Sequence, residues 1–174
     1  MSVGRTLTVM PTMDEFLKKL SADKVESVQE ALGRQKNDWV EDLRGLFARI
    51  REWLGPGVLN GTLAIDDREV EIAEEDLGPY RVPAMTIRVR TGHPRKVDVE
   101  PKGMQVVGVV GIGGRRLLGA LGRVDITSGP ARVILLRFRD AGQTRWKLLL
   151  DDGTKEDLTS DAFAMALASI IDLE

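Results

Sequence analysis

The chain has 174 residues, 43% of them hydrophobic and 30% charged, and its 25 basic and 27 acidic side chains leave a formal net charge of -2. Such a composition excludes a collagen-like, disordered or membrane-spanning chain, and the length suits one domain with a sizeable core. No cysteine and a single histidine, His93, rule out disulfide frames, thiolate metal sites, thiol nucleophiles and His-rich cages, so neither a metal nor a cofactor is expected.

The first ten residues hold one basic group and no leader-like apolar run, and no later run is long enough to span a bilayer; a cytoplasmic chain without membrane contact is expected. Residues 13–54 read as helix in two parts. Thr12 followed by Glu15 forms a capping box. Leu17, Leu20, Val25, Val28 and Leu32 then lie on one side at roughly helical spacing, with Lys18, Lys19, Asp23, Glu26 and Glu30 pointing away. Gly33 predicts a break or bend. In the second part Trp39, Leu43, Leu46, Ile50 and Trp53 recur at steps of four, three, four and three, flanked by Val40, Phe47 and Leu54. Asn37 or Asp38 can cap its start, and Gly55-Pro56-Gly57 predicts its end. This stripe is expected to cover the core of the domain. It is also the candidate interface for a partner helix, although about two heptads fall short of the three or four that a coiled coil requires.

Beyond Gly57 the spacing changes to alternation punctuated by turn residues. Leu63 to Asp66 and Glu69 to Ala73 flank an expected turn at Asp67-Arg68. Arg81 to Arg90, Lys96 to Glu100 and Met104 to Val110 follow, the last two separated by an expected turn at Pro101-Lys102-Gly103. Then come Gly122 to Thr127, Arg132 to Arg139 and Thr144 to Leu150. A final helix over 159–173 is capped by Thr159 or Ser160 and carries Phe163, Leu167, Ile170 and Ile171 on its apolar side. The predicted fold is α+β and a single domain, 1–174. It is a curved antiparallel β-meander of about seven or eight strands over 62–150, with the N-terminal helices and the C-terminal helix packing on its apolar face.

The small net charge conceals an asymmetry. Residues 1–79 carry 10 basic and 16 acidic groups, residues 80–147 carry 14 and 4, and residues 148–174 carry 1 and 7. Alternation in the strands sets Arg88 and Arg90 against Ile87 and Val89, Arg137 and Arg139 against Leu136 and Phe138, and Arg145 and Lys147 against Trp146 and Leu148. The basic groups are therefore expected on the sheet face turned away from the core. That face reads either as a surface for anions or nucleic-acid phosphates or as a solvated lattice of cross-strand ion pairs, since Glu69, Glu71, Asp98, Glu100 and Asp125 share its phase. The isoelectric point near 5.6 and the lack of outward-facing aromatics favour the lattice.

The segment from Gly108 to Gly122 adds Arg115 and Arg116 in a glycine-rich loop without the Lys-Ser/Thr ending of a phosphate-binding loop. The acidic cluster from Asp66 to Asp76 lacks the ligand spacing of a calcium loop. His93 and Tyr80 read as a turn residue and a packing residue. With no recognisable catalytic constellation, the expected function is a non-enzymatic protein-interaction or scaffold module that self-associates through Trp39, Leu43, Leu46, Ile50 and Trp53 or through a sheet edge. The alternative is anion or nucleic-acid binding through Arg88, Arg90, Arg115, Arg116, Arg137, Arg139, Arg145 and Lys147.

Overall fold

A computed structural model of the chain describes residues 12–93, 95–104 and 119–171. In chain order the elements are α1 (Met13–Leu59), β1 (Leu63–Glu74), β2 (Gly78–Val89), β3 (Arg95–Gly103), β4 (Gly122–Ser128), β5 (Ala131–Asp140), β6 (Gln143–Leu149), β7 (Lys155–Asp157) and α2 (Ser160–Ile171). The seven strands form one antiparallel sheet in sequence order, β1 to β7, so the fold is the α+β meander that the turn spacing predicts. The chain divides into two compact units, Met1–Gln35 and Lys36–Glu174.

In the first unit the residues described are 12–35, which form the first half of α1. The capping box closes as expected: the Thr12 amide donates to Glu15 Oε2 at 2.9 Å and the Glu15 amide to Thr12 Oγ1 at 3.3 Å. Gly33 does not break the helix, which continues to Leu59. A single glycine costs a helix only about 1 kcal/mol.

The second unit holds the sheet, the rest of α1 and α2. Its core is built from one phase of the strands, with Met85, Ile87, Val97, Val99, Val124, Ile126, Leu135, Trp146 and Leu148 meeting Trp39, Leu43, Leu46, Phe47 and Ile50 of α1 and Phe163 and Ile170 of α2. Register links these positions across the sheet: Met85 opposes Val99, Val99 opposes Ile126, and Val124 opposes Leu135, which opposes Leu148. Each large apolar side chain so buried contributes about 1.5–3 kcal/mol. Ring contacts join α1 to the sheet, Trp39 with Trp146 at 6.0 Å between centroids, and α1 to α2, Trp53 with Phe163 at 5.6 Å.

Several local expectations are corrected. Asn37 and Asp38 lie inside α1 and cap nothing. Pro56 sits in the last turn, and the helix stops two residues after Gly57, where Gly61 takes φ +79° and Asn60 Oδ1 accepts from the Thr62 amide at 3.0 Å. Asp67-Arg68 is not a turn. Both residues belong to the continuous edge strand β1, and each is engaged by a salt bridge, Asp67 with Arg51 and Arg68 with Asp98 and Glu100. Pro101-Lys102-Gly103 is likewise the end of β3, where the pairing with β4 shifts register between Pro101 and Gly103; a bulge is one of the few places where a sheet admits proline. Of the strand expected over 104–110, only Met104 falls within the described residues.

At the start of β4, Gly122 lies against the Trp39 ring. An added Cβ would stand 2.3 Å from Trp39 Cζ3, so Gly122→Ala is expected to cost about 1–3 kcal/mol by overpacking. Urea unfolding measures it. In a Trp39→Leu background the same substitution is expected to cost distinctly less, and equal costs in both backgrounds would contradict the contact.

Candidate functional site

The candidate cations separate onto the two sheet faces. Arg88, Arg145 and Lys147 lie on the face away from the helices, as expected. Arg137 and Arg139 do not, because in β5 the phase turned toward α1 is that of Leu135, and Arg137 opposes the buried Trp146. Arg137 is only 4% exposed. Its Nε donates to Asp42 Oδ2 at 2.7 Å and its Nη1 to the Leu121 carbonyl at 3.2 Å, while the guanidinium lies 5.6 Å from the Trp39 ring centroid. Thr144 Oγ1 donates to the same Asp42 oxygen at 2.8 Å, and Arg139 Nη2 stands 3.6 Å from it and 3.5 Å from Asp38 Oδ2. Buried charges persist in folds only when paired and hydrogen-bonded. Arg137 is therefore a structural tie between sheet and helix, withdrawn from any surface.

On the opposite face the cations meet carboxylates of their own strand or of other strands of the sheet. Arg88 pairs with Asp66 at 2.5 Å, Arg68 with Glu100 at 2.5 Å and Asp98 at 3.2 Å, Lys96 with Asp98 at 3.2 Å, and Lys102 with Glu100 at 3.4 Å. Arg123 holds both oxygens of the buried Asp125, at 2.6 and 2.9 Å, with Arg132 3.9 Å away. Arg145 lies 3.4 Å from Asp140 and Lys147 lies 3.3 Å from Asp157. Arg90 is exposed and makes no ion pair among the described residues. Arg115 and Arg116 lie outside the described residues. The face is thus an ion-pair lattice with its positive charge largely matched.

This lattice tunes its own groups. The hydrogen bond from Arg68 holds Glu100 below the usual glutamate range against a smaller opposing effect of burial. For Asp98 burial is the largest single influence and acts upward, but the Thr86 hydroxyl, Lys96 and Arg68 together outweigh it and leave the carboxyl lowered.

The other sequence candidates carry little chemistry. The Tyr80 hydroxyl donates to Glu74, and burial followed by this bond pushes the phenol far above its usual range, which removes it as a proton carrier near neutrality. Among the described residues no cluster of His, Asp and Glu has the makings of a metal site, and no helix is long and apolar enough to cross a membrane. A groove of about 450 Å³ runs between Phe47 and Arg51 of α1 and Asp67, Arg68 and Pro83 of the first hairpin. Its three arginines, Arg44, Arg51 and Arg68, are all in salt bridges.

The helix stripe divides sharply. Trp39, Leu43, Leu46 and Ile50 are at most 1% exposed and belong to the chain's own core, and Trp53 is half-buried on Phe163; none of them forms a surface for a partner helix. The first half of α1 is the reverse. Phe16, Leu17, Leu20, Val25 and Val28 are 48–58% exposed and Met13 is 70% exposed. The periodicity of Leu17, Leu20, Val25 and Val28 is legible in the sequence; that these side chains are exposed among the described residues is not. No family model, no curated protein and no solved structure matches the chain.

Two outcomes follow from these charges. Asp42→Leu is expected to destabilise the fold by about 3–5 kcal/mol because it strands a buried guanidinium. In Asp42→Leu/Arg137→Met much of that loss is expected to return, so a double-mutant cycle in urea should show strong coupling; additivity would contradict the pairing. Glu100, with its folded-state pKa depressed, contributes stability that is fully present above the ordinary carboxylate range, near pH 4, and is lost as pH falls through the lower folded-state value. Glu100→Gln is expected to be less stable than wild type at neutral pH and to lose less stability on acidification. Parallel pH profiles for the two proteins would contradict this.

Proposed function

We propose that the chain is a non-enzymatic protein-interaction module whose recognition surface is the apolar side of α1 over residues 13–32. One observation carries the reading: among the described residues, six of the eleven exposed large apolar side chains, Met13, Phe16, Leu17, Leu20, Val25 and Val28, fall on this one stretch of helix. Isolated helices of this length are marginal in water, and most of the stability of helices in proteins comes from packing an amphipathic face. Contiguous exposed apolar surface of this kind is characteristic of interaction sites.

The cationic sheet face supports the alternative less well. A polyanion site gains affinity by bringing uncommitted Lys and Arg to phosphates, whereas Arg88, Arg145 and Lys147 already meet carboxylates within 2.5–3.4 Å.

Leu17→Glu/Leu20→Glu is expected to abolish whatever protein assembly the chain forms, read by sedimentation velocity, and to leave the urea midpoint of the core within the about 0.5 kcal/mol usual for surface substitutions. Assembly unaffected by these charges, or a large loss of core stability, would overturn the reading.

A further inference from the structure

We propose that the outer edge of β1 is a docking site for an extended segment of another protein in which basic and apolar residues alternate, added to the seven described strands as an eighth. This site lies in the second unit and is independent of the α1 surface over residues 13–32.

The pairing with β2 fixes which backbone groups of β1 face outward. In an antiparallel pair, directly opposed residues exchange hydrogen bonds at every second position. The Arg90 amide donates to the Thr62 carbonyl at 2.9 Å, one step beyond the Leu63–Val89 pair, so the even-numbered residues of β1 bond to β2. The prolines of β2 agree: Pro79 and Pro83 stand opposite Ala73 and Glu69, where no N–H is needed toward β1. The amides and carbonyls of Ile65, Asp67, Glu69, Glu71 and Ala73 therefore point to the outer edge, and no strand among the described residues meets them.

The two edges of this hairpin are guarded differently. Edge strands resist unwanted pairing by proline, bulges or charge. β2 pairs with β3 only from Met85 onward, and before that point Pro79 and Pro83 remove amides from its far side. Along its 12 residues β1 has no proline, and its pairing with β2 has no register shift. Charge is its only guard, and that charge selects the partner.

The alternation of β1 specifies the complement. Asp67, Glu69 and Glu71 share one phase, whereas Val70 and Ile72, both only partly buried, share the other. Over the hairpin, residues 63–89, seven acidic side chains stand against three basic ones. Arg51 is paired with Asp67 and Arg81 lies 3.8 Å from Glu69, but these four side chains stay 44–70% exposed, and such surface pairs are weak. No ion pair engages Glu71 among the described residues. Side chains on one face of neighbouring strands are in contact, and like charges there repel. A second copy of β1 laid antiparallel over residues 67–71 would set its carboxylates against these. A strand alternating Lys or Arg with Val or Ile places cations beside Asp67, Glu69 and Glu71 and apolar groups beside Val70 and Ile72. In this mode of recognition main-chain hydrogen bonds give affinity and alternate side chains give specificity.

The probe is a fluorescein-labelled, end-capped heptapeptide alternating Lys and Val, titrated with the full chain and read by anisotropy. Binding is expected, about tenfold or more tighter than that of the Glu-Val counterpart and of a Lys-Val peptide methylated on its backbone amides, which has the same charge but no donors. Glu71→Lys is expected to weaken binding about fivefold. Ala73→Pro removes one outward amide without changing charge or the bonds to β2, and is expected to weaken binding about tenfold. Leu17→Glu/Leu20→Glu is expected to leave it unchanged. In the wild-type chain, hydrogen exchange at Ile65, Asp67, Glu69, Glu71 and Ala73 is expected to slow when the peptide is added. No binding at millimolar peptide, equal binding of the methylated peptide, or binding without slowed exchange at these amides would overturn the proposal. Exchange there that slows with rising concentration of the chain alone would assign the edge to a second copy and overturn the basic partner.

Discussion

A charge that cannot remain unpaired fixes the arrangement of the second unit. Arg137 projects from the middle of the sheet into the layer beneath α1, and Asp42 is placed one helical turn from Trp39 to receive it. Once that bond forms, much of the rest is determined. Trp39 lies under the guanidinium and against Trp146, Thr144 fills a further acceptor position on Asp42, and the backbone opposite Trp39 must be glycine, as it is at Gly122. Apolar burial supplies most of the stability. The directional pair selects one axial position and one rotation of the helix, because sliding the stripe by a turn would leave both charges buried and unpaired, at a cost of several kcal/mol.

The same pair marks where sequence reasoning ends. In β5, both phases contain apolar residues, Val133 and Leu135 in one and Ile134, Leu136 and Phe138 in the other, so the arginines were the only local cue to direction, and they pointed the wrong way. An arginine in the inward phase is legible only with its acceptor, and Asp42 is 95 residues earlier in the chain. The outward phases of β2, β3, β4 and β6 are legible because each opposes a phase built of Met, Val, Ile, Trp or Leu. Turn residues misled where long-range pairing satisfied them. Asp67 and Arg68 look like a turn until Arg51, Asp98 and Glu100 are brought to them, and Pro101 looks like a break until the bulge with β4 accommodates it. Gly33 is a helix breaker by propensity, a small effect against a long run of helical residues, and Pro56 stands in the last turn, close to where the helix stops.

The charge asymmetry acquires a physical meaning in the same way. The basic stretch from 80 to 147 is answered by acidic groups of its own strands and by those of the acidic ends: Asp66 on Arg88, Asp42 on Arg137 and Asp157 on Lys147. Segments of opposite charge complement each other within one fold, and the net charge of -2 is what remains. The first half of α1 stands apart from this pattern: its apolar stripe is exposed, and among the described residues no ion pair engages its charges. On the proposed reading α1 carries two apolar stripes, one closing the core of the second unit and one serving as the interaction surface.

Amide hydrogen exchange as a function of protein concentration tests that division most directly. Protection of residues 39–54 is predicted to be high and independent of concentration, set by the core, while protection of residues 13–32 is predicted to rise as the chain assembles and to fall toward that of an isolated helix on dilution. Protection of residues 13–32 that does not change with concentration would contradict the account.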